Sequence, residues 1–198
     1  MKKQNKKTGF TLVEMMVAIA VFSVVMVTAM SALINVIDAN NKAKSLKTAI
    51  NNISFALEGI SKDMRMGTQY ACGSGGNVSL SDCPDGVNTI SFRSSKTIGA
   101  LSNPYIFYKF VAGASSGQLF SCVGGSTFSS VCSGSYSPLT STEVNLTNVK
   151  FYIINVDDTT KQPRMIMTVS GTAGPLNKPK LQTSFDLQTG VSQITRPE

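Results

Sequence analysis

Residues 6–14 read KKTGFTLVE, and they are followed at once by MMVAIAVFSVVMVTAMSALINVI, from Met15 to Ile37, a run without a single charged residue. At about 1.5 Å per residue in a helix such a run is long enough to cross a bilayer, which makes it a candidate membrane span. Lys2, Lys3, Lys6 and Lys7 stand before it, whereas Lys42, Lys44 and Lys47 come only after the polar stretch Asp38 to Asn41. The excess of lysine ahead of the span favours a cytoplasmic N-terminus and an extracytoplasmic remainder, a single-pass arrangement. An ordinary secretory signal places its small-residue cleavage site after the apolar core. Here the candidate site, Gly9, stands before the core, so a cut between Gly9 and Phe10 removes the basic leader and keeps the apolar segment as the new N-terminus. Such processing does not release a protein into solution; it serves some use of the helix itself.

Glu14 is the second anomaly. A carboxylate at the centre of an apolar span costs about 2.5 to 3.5 kcal/mol on insertion scales, and less near the interface. After cleavage the α-amino group of Phe10 would lie one helical turn away, at i and i+4. In a stack of helices the carboxylate could instead meet the amino terminus of a neighbour. A buried, paired charge sets register between otherwise featureless apolar helices. The plainer alternative is that Glu14 reaches up to the headgroups.

Taken together, Lys6, Lys7, Thr8, Gly9, Phe10, Thr11, Leu12, Val13 and Glu14 with the apolar run behind them closely resemble the class III signal of type IV prepilins and type II secretion pseudopilins. The resemblance implies Gly9 as the residue before the cut, Phe10 as the new N-terminus and site of N-methylation, and Glu14 as the acidic residue that guides assembly. It implies as partners a prepilin peptidase, other pilin or pseudopilin subunits, an inner-membrane assembly platform and, before assembly, membrane lipid. No cofactor is implied. Within the family, Ala56 to Met66 (ALEGISKDMRM), with Asp63 and Arg65 at its end, looks like the helix end of the minor J-type or W-type subunits. The chain lacks the C-terminal Cys pair and the helix-kinking Pro of many major pilins, which points to a minor, tip or priming role. The motif spans only about the first tenth of the chain.

Beyond Ile37 the helical pattern continues. Leu46, Ile50, Ile53, Leu57, Ile60 and Met64 recur at alternating spacings of four and three, forming one apolar stripe. No Pro occurs before Pro84, so one helix is expected from about Thr11 to Met66, with Gly67 as its stop. It would measure on the order of 80 Å. Its first half is apolar all round and needs lipid or neighbouring helices. Its second half is apolar on one face and needs a sheet. Strands are expected at Thr89–Arg93, Tyr105–Val111, Gln118–Val123, Val149–Val156, Arg164–Ser170 and Leu181–Leu187, separated by Gly, Ser, Pro and Asn. Asp157 to Thr160 read as a turn between two of them. The expected fold class is α+β, the long helix packed on an antiparallel β-sheet. The domain division is a leader at 1–9, a span or filament-core helix half at 10–37, and an extracytoplasmic domain at 38–198 that includes the amphipathic half 42–66.

Composition narrows the functional classes. Of 198 residues 42% are hydrophobic and 15% charged, as in a folded protein. The net charge of +7 falls to +3 without the four leader lysines, so nucleic acid is only weakly suggested as a partner. There is no His, which removes the commonest general base and metal ligand and lowers the case for an enzyme. Four Cys lie in Gly/Ser-rich stretches and allow three connectivities. Local closure, Cys72 with Cys83 and Cys122 with Cys132, costs the least chain entropy. Free thiols and zinc are the rivals, but about ten residues separate each pair where zinc knuckles use two to four. Asp157 and Asp158 could suggest calcium, although turn formers explain them. Lys42, Lys44 and Lys47 could meet headgroups or DNA, or simply form a solvated face. Tyr105, Phe107, Tyr108 and Phe110 could be a binding platform, or divide between core and solvent. The rival from another class is a signal-anchored extracytoplasmic enzyme or binding protein that never polymerises, but no Ser and Lys spacing singles out a catalytic pair. In the binding-module version, the loop around Cys122 and Cys132 is the exposed contact surface.

Overall fold

The computed structural model describes residues 9–73, 82–113, 116–125, 132, 136–142, 144–156, 158, 160–175 and 177–194. One helix, α1 (Leu12–Met66), opens the fold, and nothing in its sequence interrupts it. By contacts the chain divides into two compact units, 1–41 and 42–198. In the first, every described residue is exposed.

In the second unit the buried helix residues are Ala49, Ile53, Ala56, Ile60 and Met64. Leu46, Ile50 and Leu57, which the apolar stripe also includes, are half-buried at the margin of this seam. Ala49 and Ala56 alternate in this seam with Ile53, Ile60 and Met64, the small side chains letting the helix backbone come close to a sheet while the large ones fill the core. The strands are β1 (Thr68–Cys72), β2 (Cys83–Val87), β3 (Thr89–Arg93), β4 (Tyr105–Val111), β5 (Gln118–Val123), β6 (Ser137–Pro138), β7 (Val144–Ile154), β8 (Arg164–Ala173) and β9 (Thr183–Ser192).

These strands form two antiparallel sheets rather than the single one expected. One has the order β1-β3-β4-β5-β6 and the other β2-β7-β8-β9. The division follows from β2, which leaves its sequence neighbours to pair with β7, Val87 opposite Phe151. The sheets meet again at Gly117, whose N–H donates to Asn145 Oδ1 at 3.0 Å and whose carbonyl accepts the Leu146 N–H at 3.1 Å. A Cβ at Gly117 would stand 2.1 Å from Leu146 O, so only glycine permits this approach. The two sheets and the helix share one core, in which Ile53, Ile60, Phe92, Phe151 and Met167 are among the fully buried side chains. Each such side chain contributes on the order of 1.5–3 kcal/mol of transfer free energy.

The aromatic run on β4 is structural. Ile106, Tyr108 and Phe110 enter the shared core, while Tyr105 and Phe107 form a second cluster with Cys122, backed by Cys132 and Tyr136. Both faces of β4 are therefore covered, and neither the binding platform nor the division between core and solvent describes it.

Each cysteine pairs with its near neighbour in sequence, Cys72 with Cys83 and Cys122 with Cys132, at Cα separations of 6.3 and 6.1 Å. The first bridge joins the last residue of β1 to the first of β2, and so ties one sheet to the other. In the chain-entropy picture a bridge closing a loop of this size constrains the unfolded chain by about 3 kcal/mol.

Candidate functional site

The site singled out by the sequence is the segment from Gly9 into the first turns of α1; Lys6, Lys7 and Thr8 lie outside the described residues. Gly9 has no atom near the position a Cβ would take, and Phe10 is 79% exposed. Thr11 caps the helix. Its Oγ1 accepts the Glu14 N–H at 3.3 Å, and its carbonyl accepts the Met15 N–H at 3.2 Å. Thr11 and Glu14 thus have the T-x-x-E spacing of a capping box, a signal that the sequence carries alongside the charge on Glu14. With the leader attached, Phe10 precedes the cap. The one-turn relation between its amino group and Glu14 requires the helix to extend by a residue or two once the chain begins at Phe10.

Behind this start the helix is chemically plain. The best window of its apolar half has a mean hydropathy of 2.5 with nothing buried, so the helix is long and apolar enough to cross a membrane. Two of its hydroxyls are satisfied within the helix: Ser23 Oγ donates to Ile19 O at 2.8 Å and Thr28 Oγ1 to Val25 O at 2.8 Å. Intrahelical pairing of this kind lets polar residues sit in an apolar stretch at little cost.

At the other end of α1, Asp63 joins helix to sheet. Its carboxylate accepts from Lys96 Nζ at 3.3 Å and from Tyr108 Oη at 3.1 Å. Burial, aided by the Asp63 charge and hydrogen bond, raises the Tyr108 hydroxyl well above its ordinary pKa. Burial does the same to Tyr70, whose hydroxyl lies 2.6 Å from Met64 O and 2.7 Å from Gly67 O at the helix terminus. Gln193 Nε2 also donates to Gly67 O, at 3.0 Å, and the Ile194 N–H donates to Arg65 O at 3.0 Å. Asp63 and Arg65 are in this way parts of the junction that anchors the helix end.

Asp157 lies outside the described residues. Asp158 accepts from the Thr160 N–H and hydroxyl at 2.7 and 2.6 Å and pairs with Lys161 at 3.4 Å. Those contacts, the Thr160 hydroxyl foremost, lower its pKa to about 2. Lys44 and Lys47 are exposed on the helix, with Lys42 half-buried. Among the described residues no group of three or more acidic, Cys or His side chains could hold a metal.

Residues 4–30 match the family described as the prokaryotic N-terminal methylation motif. No curated protein and no solved structure matches the chain. The match covers Gly9, Phe10 and Glu14 and the first turns of the apolar helix. The chain thus carries a prokaryotic N-terminal methylation motif at the start of an α+β fold, in which the second half of one long helix packs on antiparallel sheets.

Proposed function

We propose that the protein is a minor structural, non-enzymatic subunit of a type IV pilus or type II secretion pseudopilus. In this reading a prepilin peptidase cuts between Gly9 and Phe10, removing residues 1–9, and Phe10 is N-methylated. Residues 10–37 hold the subunit in the inner membrane, N-terminus cytoplasmic, until an assembly platform transfers them to the filament core. Glu14 pairs with a terminal amino group there, its own or a neighbour's. Residues 38–198 form the domain displayed outside the cytoplasm, where disulfides persist.

The observation that carries the reading is the methylation motif at residues 4–30, which runs into a helix half that is apolar and exposed throughout its described residues. An exposed surface of that kind must be covered by lipid or by other helices. A tether needs no cut before it, and removal of the leader has a purpose only if the helix is to be used again. The test is the intact mass and N-terminal sequence of protein recovered from its host's envelope. A chain beginning at Phe10 with one added methyl group is expected; a chain still beginning at Met1 would reduce the helix to an anchor and sink the proposal.

A further inference from the structure

Two sheets have four edges, and three of them are blunted. β1 has only five residues and an irregular register between Thr68 and Ala71. β6 has two residues, one of them Pro138. β2 contains Pro84 and Asp85, and Gly86 holds a φ of 74°. Proline, charge, irregularity and brevity are the ordinary means of keeping an edge from pairing with another chain. The fourth edge, β9, is neither short nor irregular, has no proline, and carries a single charge, Asp186. It runs for ten residues in unbroken register with β8, from Arg164 opposite Ser192 to Ala173 opposite Thr183, and holds no Pro, Lys or Arg.

The register shows which groups are free. The Gln193 N–H donates to Pro163 O at 3.1 Å, continuing the β8–β9 ladder by one pair. Because hydrogen-bonded and non-bonded pairs alternate in an antiparallel ladder, Ser184, Asp186, Gln188, Gly190 and Ser192 direct their N–H and C=O groups away from β8. All five are exposed, and Phe185 and Val191 between them are buried. Asp186 is the one charge on the strand, and among the described residues it has no ion-pair partner.

We propose that the free edge of β9 is a docking site for an extended segment of a different protein, added as a fifth strand to the β2-β7-β8-β9 sheet, with a basic residue beside Asp186. Backbone hydrogen bonds to the five outward residues supply the affinity. Alternate apolar side chains of the incoming segment extend the face made by Phe185, Leu187 and Val191, and the cation next to Asp186 sets its register.

The test uses the full chain in detergent micelles with two peptides matching the ten residues of β9 in length. Both alternate Val and Thr; one carries Lys at its centre and the other Glu. Hydrogen exchange is read amide by amide. The Lys peptide is expected to slow exchange at residues 184, 186, 188, 190 and 192, and to bind about fivefold more tightly than the Glu peptide. Gln188→Pro removes an outward N–H and leaves the β8 ladder intact, so it should abolish the protection at an unchanged unfolding midpoint. Asp186→Lys, which leaves the backbone untouched, should reverse the preference between the peptides. The proposal is overturned if exchange at β9 is unaffected by the Lys peptide, or if Gln188→Pro is protected equally. It is overturned as well if the same amides become protected with rising protein concentration and no peptide, which would assign the edge to a second copy of this chain.

Discussion

The Tyr108 hydroxyl donates to Asp63 Oδ2 across 3.1 Å, and this contact fastens the last turn of α1 to the middle of β4. Asp63 also meets Lys96 at 3.3 Å, but that pair is more exposed and so contributes less. Tyr108→Phe keeps the ring in the core and removes only the hydroxyl. It should lower stability by about 1–2 kcal/mol, in the range for a hydrogen bond to a charged group that retains some solvent. Denaturant unfolding of the full chain measures this, and Lys96→Met should cost clearly less. Equal effects would mean that the hydroxyl is not the main tie.

The same tyrosines make the fold sensitive to alkali. In the native state burial holds the hydroxyls of Tyr70 and Tyr108 protonated above the ordinary tyrosine value. The unfolded chain releases those protons near pH 10, so above that pH the native state binds more protons and stability falls as pH rises. Below that pH the contribution is fully present. Unfolding midpoints measured on either side of pH 10 should show the decline, and the double variant Tyr70→Phe with Tyr108→Phe should flatten it.

Gly67 should tolerate no side chain. A Cβ there would lie 2.5 Å from the ring of Phe92, which is fully buried. Gly67→Ala must displace that ring and is expected to cost about 1–3 kcal/mol, the range for overpacking a core. Phe92→Leu in the same background should recover part of the loss, which a thermal melt of the pair would show.

The bridge between Cys72 and Cys83 joins the two sheets. Replacing both with Ser should destabilise the protein by about 3 kcal/mol, chiefly by freeing the unfolded chain. Unreduced wild type should offer no alkylatable thiol. Four labelled cysteines without reductant would contradict the pairing.

Glu14 occupies a capping position and also carries a charge. Glu14→Gln keeps a side chain that a capping box accepts, whereas Glu14→Ala removes that side chain and its charge together but leaves the backbone N–H that Thr11 Oγ1 accepts from. If the charge guides assembly, both variants should be processed at Gly9 but absent from sheared filaments. Normal incorporation of Glu14→Gln would leave only the capping role.

The long helix was legible because its signals are local. Absence of proline, an uncharged run and a stripe at spacings of three and four define α1 almost to the residue, Thr11 to Met66 expected and Leu12–Met66 found. Strands β3, β4 and β5 were equally legible, since aromatic and β-branched residues cluster in each. Strand β8 continues three residues beyond its expected end, through Gly171 to Ala173, and β9 starts and ends later than Leu181–Leu187, because pairing with a long neighbour carries a strand past residues of low propensity.

What the sequence determined by itself is what neighbouring residues decide among themselves: the order of basic leader, Gly9 and apolar run, the helix, the strongest strands, and the least costly cysteine pairing. Only the tertiary structure decided that β1 and β2 are strands at all. TQYAC and CPDGV have no strand pattern of their own, and they become strands by pairing with β3 and β7 while a disulfide joins them. That pairing splits the expected single sheet into two, and it covers both faces of β4 with Tyr108 on one side and Phe107 on the other. Such contacts link residues far apart in the chain. Their free energy comes from surfaces that exist only once the rest has folded, and no local pattern records it.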